Sequence, residues 1–311
     1  MISRLCQDIQ RELEADPRYR HTSHLRVEVA GELVHDAHLH GPAVAETFSI
    51  TKSVLSTLVG VAMADGLVTD LDTPLGQVLD IRGTPAEHHT LRHLLTMTRG
   101  CETAGEWDVD AVLARPYGWI RHLASAPQLT APGVRFQYDG VAAHLLSAAL
   151  TELVGRPLTG YAAERLFTPL GISDWEWCTD PDGIAVGWAH LRLSAGGLGA
   201  LGRLWLDGGR LHGTPLVDPG YATQMVRPQN QGGSPEGCPF GYLMWIDEHG
   251  PFAGGWAGQH VTLIPEADAV IVTTGDPRFD PGPPPRAELP DDWRPARDLV
   301  TARLVPALLA R

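Results

Sequence analysis

Between Lys52 and Asp65 the chain carries no charged residue. Leu55, Leu58, Val59, Ala62 and Met63 recur there at helical spacing, which predicts a helix from about Ser49 to Ala64. A helix that is apolar on most of its sides must lie inside the protein. The remaining elements are therefore built around this one, and its first-turn lysine is carried partly inward with it. At roughly 100–200 residues per domain, the 311 residues allow one large domain or two intimate ones.

Composition removes some functions. The formal net charge is −13, which argues against nucleic acid or an anionic membrane as main partner, since both need a basic surface. No run of 18 apolar residues marks a membrane span, and the stretch from Met1 to Arg20 lacks the apolar core of a signal peptide. Cys6, Cys101, Cys178 and Cys238 are scattered without a C-x-x-C pair and read as reduced thiols. A cytoplasmic location fits these three observations.

Along the chain we expect an N-terminal helix and a hairpin from about Leu25 to Leu39 that turns at Ala30-Gly31-Glu32. A helical, loop-rich middle follows the central helix, clearest at Leu91–Leu95 and Val141–Val154, with Gly155 placed to end the latter. Strand-like segments return at Gly241–Ile246, Gln259–Ile264 and Ala269–Thr274. Six prolines make 276–290 an irregular surface loop, and a last helix covers Asp291–Arg311. The expected fold class is α/β (α+β): residues 1–65 and 186–311 assemble a sheet domain, and 66–185 form a mostly helical region.

Ser49-Ile50-Thr51-Lys52 is an S-x-x-K string at the start of the central helix. Residues three apart share a helix face, so hydroxyl and amine can meet. A serine hydroxyl is a weak nucleophile until a base takes its proton. Lysine is such a base only where burial disfavours its charged form; arginine stays protonated and cannot serve. The chain has 24 basic residues and Lys52 is the single lysine among them, so lysine stands where arginine would fail. The plain alternative is an N-capping serine followed by a surface lysine.

Four segments, Phe48–Ser53, Leu91–Gly100, Pro132–Tyr138 and Ala253–Gln259, together with Pro169-Leu170-Gly171-Ile172, resemble the serine beta-lactamase-related hydrolases of the class C type. That group includes penicillin-binding proteins, class C beta-lactamases, esterases and 6-aminohexanoate-dimer-type amide hydrolases. The resemblance implies a beta-lactamase/transpeptidase-like fold, with an antiparallel sheet flanked by helices. It implies Ser49 as nucleophile, Lys52 as base, and Tyr138 as a phenol that relays protons with the lysine. Tyr138 is followed by Asp139 and Gly140 where the family has Y-x-N, which leaves Asn230, the chain's single asparagine, as the other possible source of that amide. The family's K-T-G or H-x-G edge-strand motif reads Trp256-Ala257-Gly258. The backbone N–H groups of Ser49 and Gln259 would then form the oxyanion hole. Substrate contacts are expected from Trp256, Ala257, Gly258, Asp139 and Gly140. Trp256 stands where beta-lactamases and peptidoglycan peptidases place a cation near the substrate carboxylate, and it favours an aromatic or acyl-bearing substrate.

Other motifs carry less. Gly197-Leu198-Gly199-Ala200-Leu201-Gly202 is a formal G-x-G-x-x-G with Asp218 beyond it, but no second βαβ unit follows. His35, His38 and His40 have no metal-site framework around them, and Asp65, Asp70 and Asp72 read as a solvated turn. The expectation is a cofactor-free, metal-free serine hydrolase acting on a small ester or amide. The alternatives are an acyltransferase with a separate acyl acceptor, an inactive binding protein on the same fold and, remotely, a dehydrogenase.

Overall fold

A computed structural model describes residues 1–276, 289 and 291–310; of the proline-rich segment, 277–288 and 290 lie outside the described residues. The helices are α1 (Ile2–Ala15), α2 (Ile50–Ala64), α3 (Leu91–Leu95), α4 (Val109–Leu113), α5 (Trp119–Ala124), α6 (Ala142–Val154), α7 (Leu158–Ala162), α8 (Ala195–Leu206), α9 (Pro219–Met225) and α10 (Ala296–Leu309). The strands are β1 (Thr22–Val29), β2 (Glu32–His38), β3 (Val44–Glu46), β4 (Trp175–Trp177), β5 (Leu191–Ser194), β6 (Arg210–Leu211), β7 (Thr214–Pro215), β8 (Asn230–Gly233), β9 (Cys238–Phe240), β10 (Trp245–Asp247), β11 (Gly250–Gly255), β12 (Gln259–Ile264) and β13 (Ala269–Gly275). Eight of these form one antiparallel sheet in the order β2-β1-β13-β12-β11-β10-β9-β8. N-terminal strands therefore pair with C-terminal ones, as the strand pattern at the two ends of the chain implies.

Alternation along the strands supplies both faces of this sheet. Leu25, Val27, Ile264, Ala269 and Ile271 pack against α1 and α10. On the other face Val261, Leu263, Val270 and Val272 join the larger core with α2, α6 and α8. The glycine pattern at 197–202 lies in α8, which Ser194 caps by accepting from the Gly197 N–H at 3.1 Å. A Cβ on Gly202 would stand 2.5 Å from Val270 Cγ1. That glycine lets a helix lie flat on a sheet, and no dinucleotide turn is present there.

The central helix is buried from Ile50 to Ala62. Its few polar side chains tie it to its surroundings: Ser53 Oγ donates to the Leu243 carbonyl at 2.6 Å, Ser56 Oγ meets Tyr221 Oη at 2.7 Å, and Trp205 Nε1 donates to Thr57 Oγ1 at 2.8 Å. Beyond its end, Asp65 is not simply solvated. It accepts from the Arg165 guanidinium and from Tyr161 Oη at 2.8 Å, and Asp72 holds Arg92 through two bonds of 2.8 and 2.9 Å.

Two expected elements are displaced. Residues 241–244 form a loop, because a Cβ at Gly241 would lie 2.2 Å from the Met225 carbonyl and Leu243 takes φ +53° while its N–H reaches the Leu95 carbonyl. The last helix starts at Ala296 because Pro295, extended at φ −69° and ψ 139°, precedes it. Among the described residues no helix is long and apolar enough to cross a membrane.

Candidate active site

Ser49 immediately precedes α2, at φ −68° and ψ −9°. Before it, Phe48 is held at φ +48°, a conformation non-glycine residues adopt only when their surroundings impose it. Here the constraint is Glu46 on β3, whose Oε1 accepts from the N–H of Phe48 at 3.0 Å and of His190 at 2.7 Å. Nothing in the sequence marks Glu46 for this task, since its partners are backbone groups.

One turn into the helix, Lys52 is 4% exposed. Its Nζ donates to Ser49 Oγ at 2.8 Å and to the Trp188 carbonyl at 2.8 Å. The second acceptor fixes the amine beside the hydroxyl. Trp188 is itself wedged against Trp119 and His144, with ring centroids 5.5 and 5.3 Å away, and His144 Nε2 meets Asp180 at 2.8 Å in the interior.

Tyr138 comes to the same place from the loop before α6, and it presents its ring. Lys52 Nζ stands 5.3 Å from the ring centroid, and the ring stacks on Trp245 at 5.7 Å. Contrary to the expected relay contact, no hydrogen bond joins the phenol to the amine among the described residues. The favourable contact is that of a cation over a π face.

The structure corrects the roles of Asp139, Gly140 and Asn230. Asp139 is 2% exposed and bonded to the buried Arg99, and its Oδ1 accepts from the Ala142 N–H at 3.0 Å, capping α6. It is a structural anchor, with no oxygen facing the cleft. Gly140 does not border the cleft either. Asn230 Nδ2 donates to the Thr96 carbonyl at 2.9 Å and its Oδ1 accepts from the Gly232 N–H at 2.8 Å, so its amide is committed away from Lys52.

A cleft of about 460 Å³ opens over Ser49 and Tyr138, walled by Trp245, Trp256, Trp293 and the segment Gly254–Gly258, which runs from the end of β11 into the following turn. The expected motif strand is not an edge, since β11 lies between β10 and β12. Its register against the nucleophile also differs from expectation. Trp256-Ala257-Gly258 is the turn between β11 and β12. The residue that meets Ser49 is Gly255, whose absent Cβ would lie 2.4 Å from the Thr47 carbonyl and 3.3 Å from Ser49 N. Gln259 sits across the hairpin from Gly255 and is 1% exposed; its side chain donates to the Gly275 carbonyl at 2.6 Å, and it does not border the cleft. Trp256, Ala257 and Gly258 do border it, and the Trp256 indole meets Phe48 edge-on at 5.2 Å. His260, also on the wall, has its imidazole pushed down to about 3 by burial, with the Arg297 charge adding to the effect. A second groove of about 970 Å³ between 134–138 and 230–235 shares Tyr138 and Pro235 with the cleft.

A family model described as Beta-lactamase matches residues 29–289. The chain belongs to the Beta-lactamase family. Solved structures with this fold include a provisionally named 6-aminohexanoate-dimer hydrolase from Bacillus anthracis (TM-score 0.77, 17% identity, 96% of this chain and 81% of that one). A penicillin-binding protein from Bacillus halodurans matches with TM-score 0.69 at 17% identity, covering 97% of this chain and 99% of that one. EstCE1, described as a hydrolase with promiscuous acyltransferase activity, matches with TM-score 0.68 at 17% identity, covering 88% and 93%. No curated protein matches the sequence. The beta-lactamase family's fold of antiparallel sheet and helices is thus established for this chain.

Proposed function

We propose that this chain hydrolyses an ester or amide through an acyl-enzyme on Ser49. The observation that carries the reading is the 2.8 Å contact between Ser49 Oγ and a buried Lys52 amine with a second, fixed acceptor. In its neutral form Lys52 takes the hydroxyl proton as Oγ attacks the carbonyl. The tetrahedral oxyanion is held by the Ser49 N–H and, in place of Gln259, by the N–H of Trp256, which follows the glycine lying against Ser49. As the carbon–heteroatom bond breaks, the leaving group takes the proton from Lys52 directly, or takes one from Tyr138, which borders the cleft and is reprotonated by Lys52. Water then attacks the acyl-enzyme, the proton returns to Ser49, and the acid is released. No metal or organic cofactor enters this chemistry.

The outer groove favours acyl transfer as a second reading. It joins the cleft at Tyr138, where an amine or alcohol acceptor has room to displace water. Intact-mass analysis after exposure to a fluorophosphonate and to ester, amide and beta-lactam panels tests the primary reading. An adduct on Ser49 that disappears in Ser49→Ala supports it, and unlabelled folded protein refutes it. Product analysis with and without added amine separates hydrolysis from transfer.

A further inference from the structure

We propose that Glu236 sets the specificity of this cleft by receiving a primary ammonium group carried by the substrate several bonds from the scissile carbonyl. The inference rests on the serine-hydrolase reading and names the substrate class for it. Glu236 lies in the connection between β8 and β9 and borders the cleft. Its Oε1 stands 3.7 Å from where a Cβ of Gly254 would be, and the next residue, Gly255, meets Ser49 N by the same measure at 3.3 Å. With successive Cα atoms about 3.8 Å apart, the carboxylate is within roughly 14 Å of the Ser49 backbone nitrogen.

Among the described residues Glu236 has no hydrogen bond and no ion pair. Neighbouring acids differ: Asp247 holds Arg297, Asp139 holds Arg99, and Glu46 holds two backbone N–H groups. Glu236 is solvent-exposed, and partial desolvation by the cleft walls pushes its carboxyl above the usual range, with Arg297 opposing this and Asp298 and Asp247 adding to it. Arg297 cannot turn to it freely, being stacked 3.9 Å from the Phe252 ring centre and paired with Asp247. Among the described residues this carboxylate has no internal partner, and a ligand cation would give it one. The surrounding walls carry the aromatic rings of Tyr138, Trp245, Trp256 and Trp293, a residue type with which cations interact favourably. A substrate carboxylate at the same position would meet like charge inside a protein of net charge −13.

Two measurements decide this. Ser49→Ala protein, which needs no chemistry, is titrated by calorimetry with benzylammonium and with benzoate. The expected result is tighter binding of the cation by about tenfold or more, with the preference abolished when Glu236→Gln is added. Equal affinities, or no binding of benzylammonium, overturn the proposal. Kinetically, the active enzyme is given 4-nitrophenyl 4-(aminomethyl)benzoate and its N-acetyl derivative. The ratio of their kcat/KM values is expected to be about 10–100 and to fall toward one in Glu236→Gln, mainly through KM, with partial recovery in Glu236→Asp. An equal loss of kcat on both esters would make Glu236 a base acting on water and refute the recognition role. Should neither ester acylate Ser49, the hydrolase reading falls, and the calorimetric comparison still decides whether the cleft selects ammonium.

Discussion

Gly255→Ala is the sharpest test of the site geometry. The new methyl group would sit 2.4 Å from the Thr47 carbonyl, 3.0 Å from Gln259 Cβ and 3.3 Å from Ser49 N. An ordinary contact with that carbonyl needs about 3.4 Å, so the segment carrying the nucleophile and strand β11 must separate by about 1 Å. Thr47 cannot yield cheaply: its N–H and Oγ1 both reach the Leu191 carbonyl, at 2.9 and 2.7 Å. Overpacking of this kind costs about 1–3 kcal/mol of stability, and a 1 Å misplacement of reacting groups costs on the order of 10²-fold in rate. Fluorophosphonate labelling followed by intact mass gives the rate, and a thermal melt gives the stability. Gly254→Ala is the fold control, because its nearest neighbours would lie 3.5 Å or more away, and it should melt close to the parent protein. A Gly255→Ala protein that labels and melts like the parent would refute the placement of Ser49 against β11.

Other expectations follow from the same contacts. Lys52→Arg keeps the charge and removes the base, so kcat/KM should fall by at least about 10²–10⁴; near-normal turnover would reject the base assignment. Asp139→Ala leaves the buried Arg99 without its carboxylate and should cost about 3–5 kcal/mol in urea unfolding, whereas a substrate contact would change KM and spare stability. Burial holds the imidazoles of His24 and His89 down to about 4, and that of His260 to about 3, against about 6.5 in an unfolded chain. The unfolded state therefore binds these protons first. The stability they contribute is complete above about pH 7, falls as the pH drops through 6.5 toward 4, and reaches on the order of 3 kcal/mol per imidazole. Urea midpoints at pH 7 and pH 5 measure the loss, and His260→Gln should flatten it; an unchanged pH dependence in that variant would contradict the assignment.

How much of this was legible in the sequence depends on the range of the interaction involved. The central helix, the Leu25–Leu39 hairpin and the Ser49–Lys52 pair follow from spacings of two, three and four residues. The structure has α2 at Ile50–Ala64 and the hairpin strands at Thr22–Val29 and Glu32–His38. The Gly241–Ile246 strand did not follow, because its backbone is bent by contacts with Met225 and Leu95, far away in the chain. Asp139 looked like a substrate contact because it follows Tyr138, and its buried partner Arg99 is 40 positions earlier.

The sequence alone determined that one amine would be drawn into the interior three residues after a serine, since an uncharged helix must be buried and that helix carries the chain's single lysine. Only the tertiary structure decided what surrounds that amine. The Trp188 carbonyl, the face of Tyr138, the close approach of Gly255 and the Glu236 carboxylate at the cleft come from separate strands and loops. Backbone carbonyls and absent side chains leave no residue-type signal, and which of them meet is fixed by the sheet register and by helix packing rather than by local spacing.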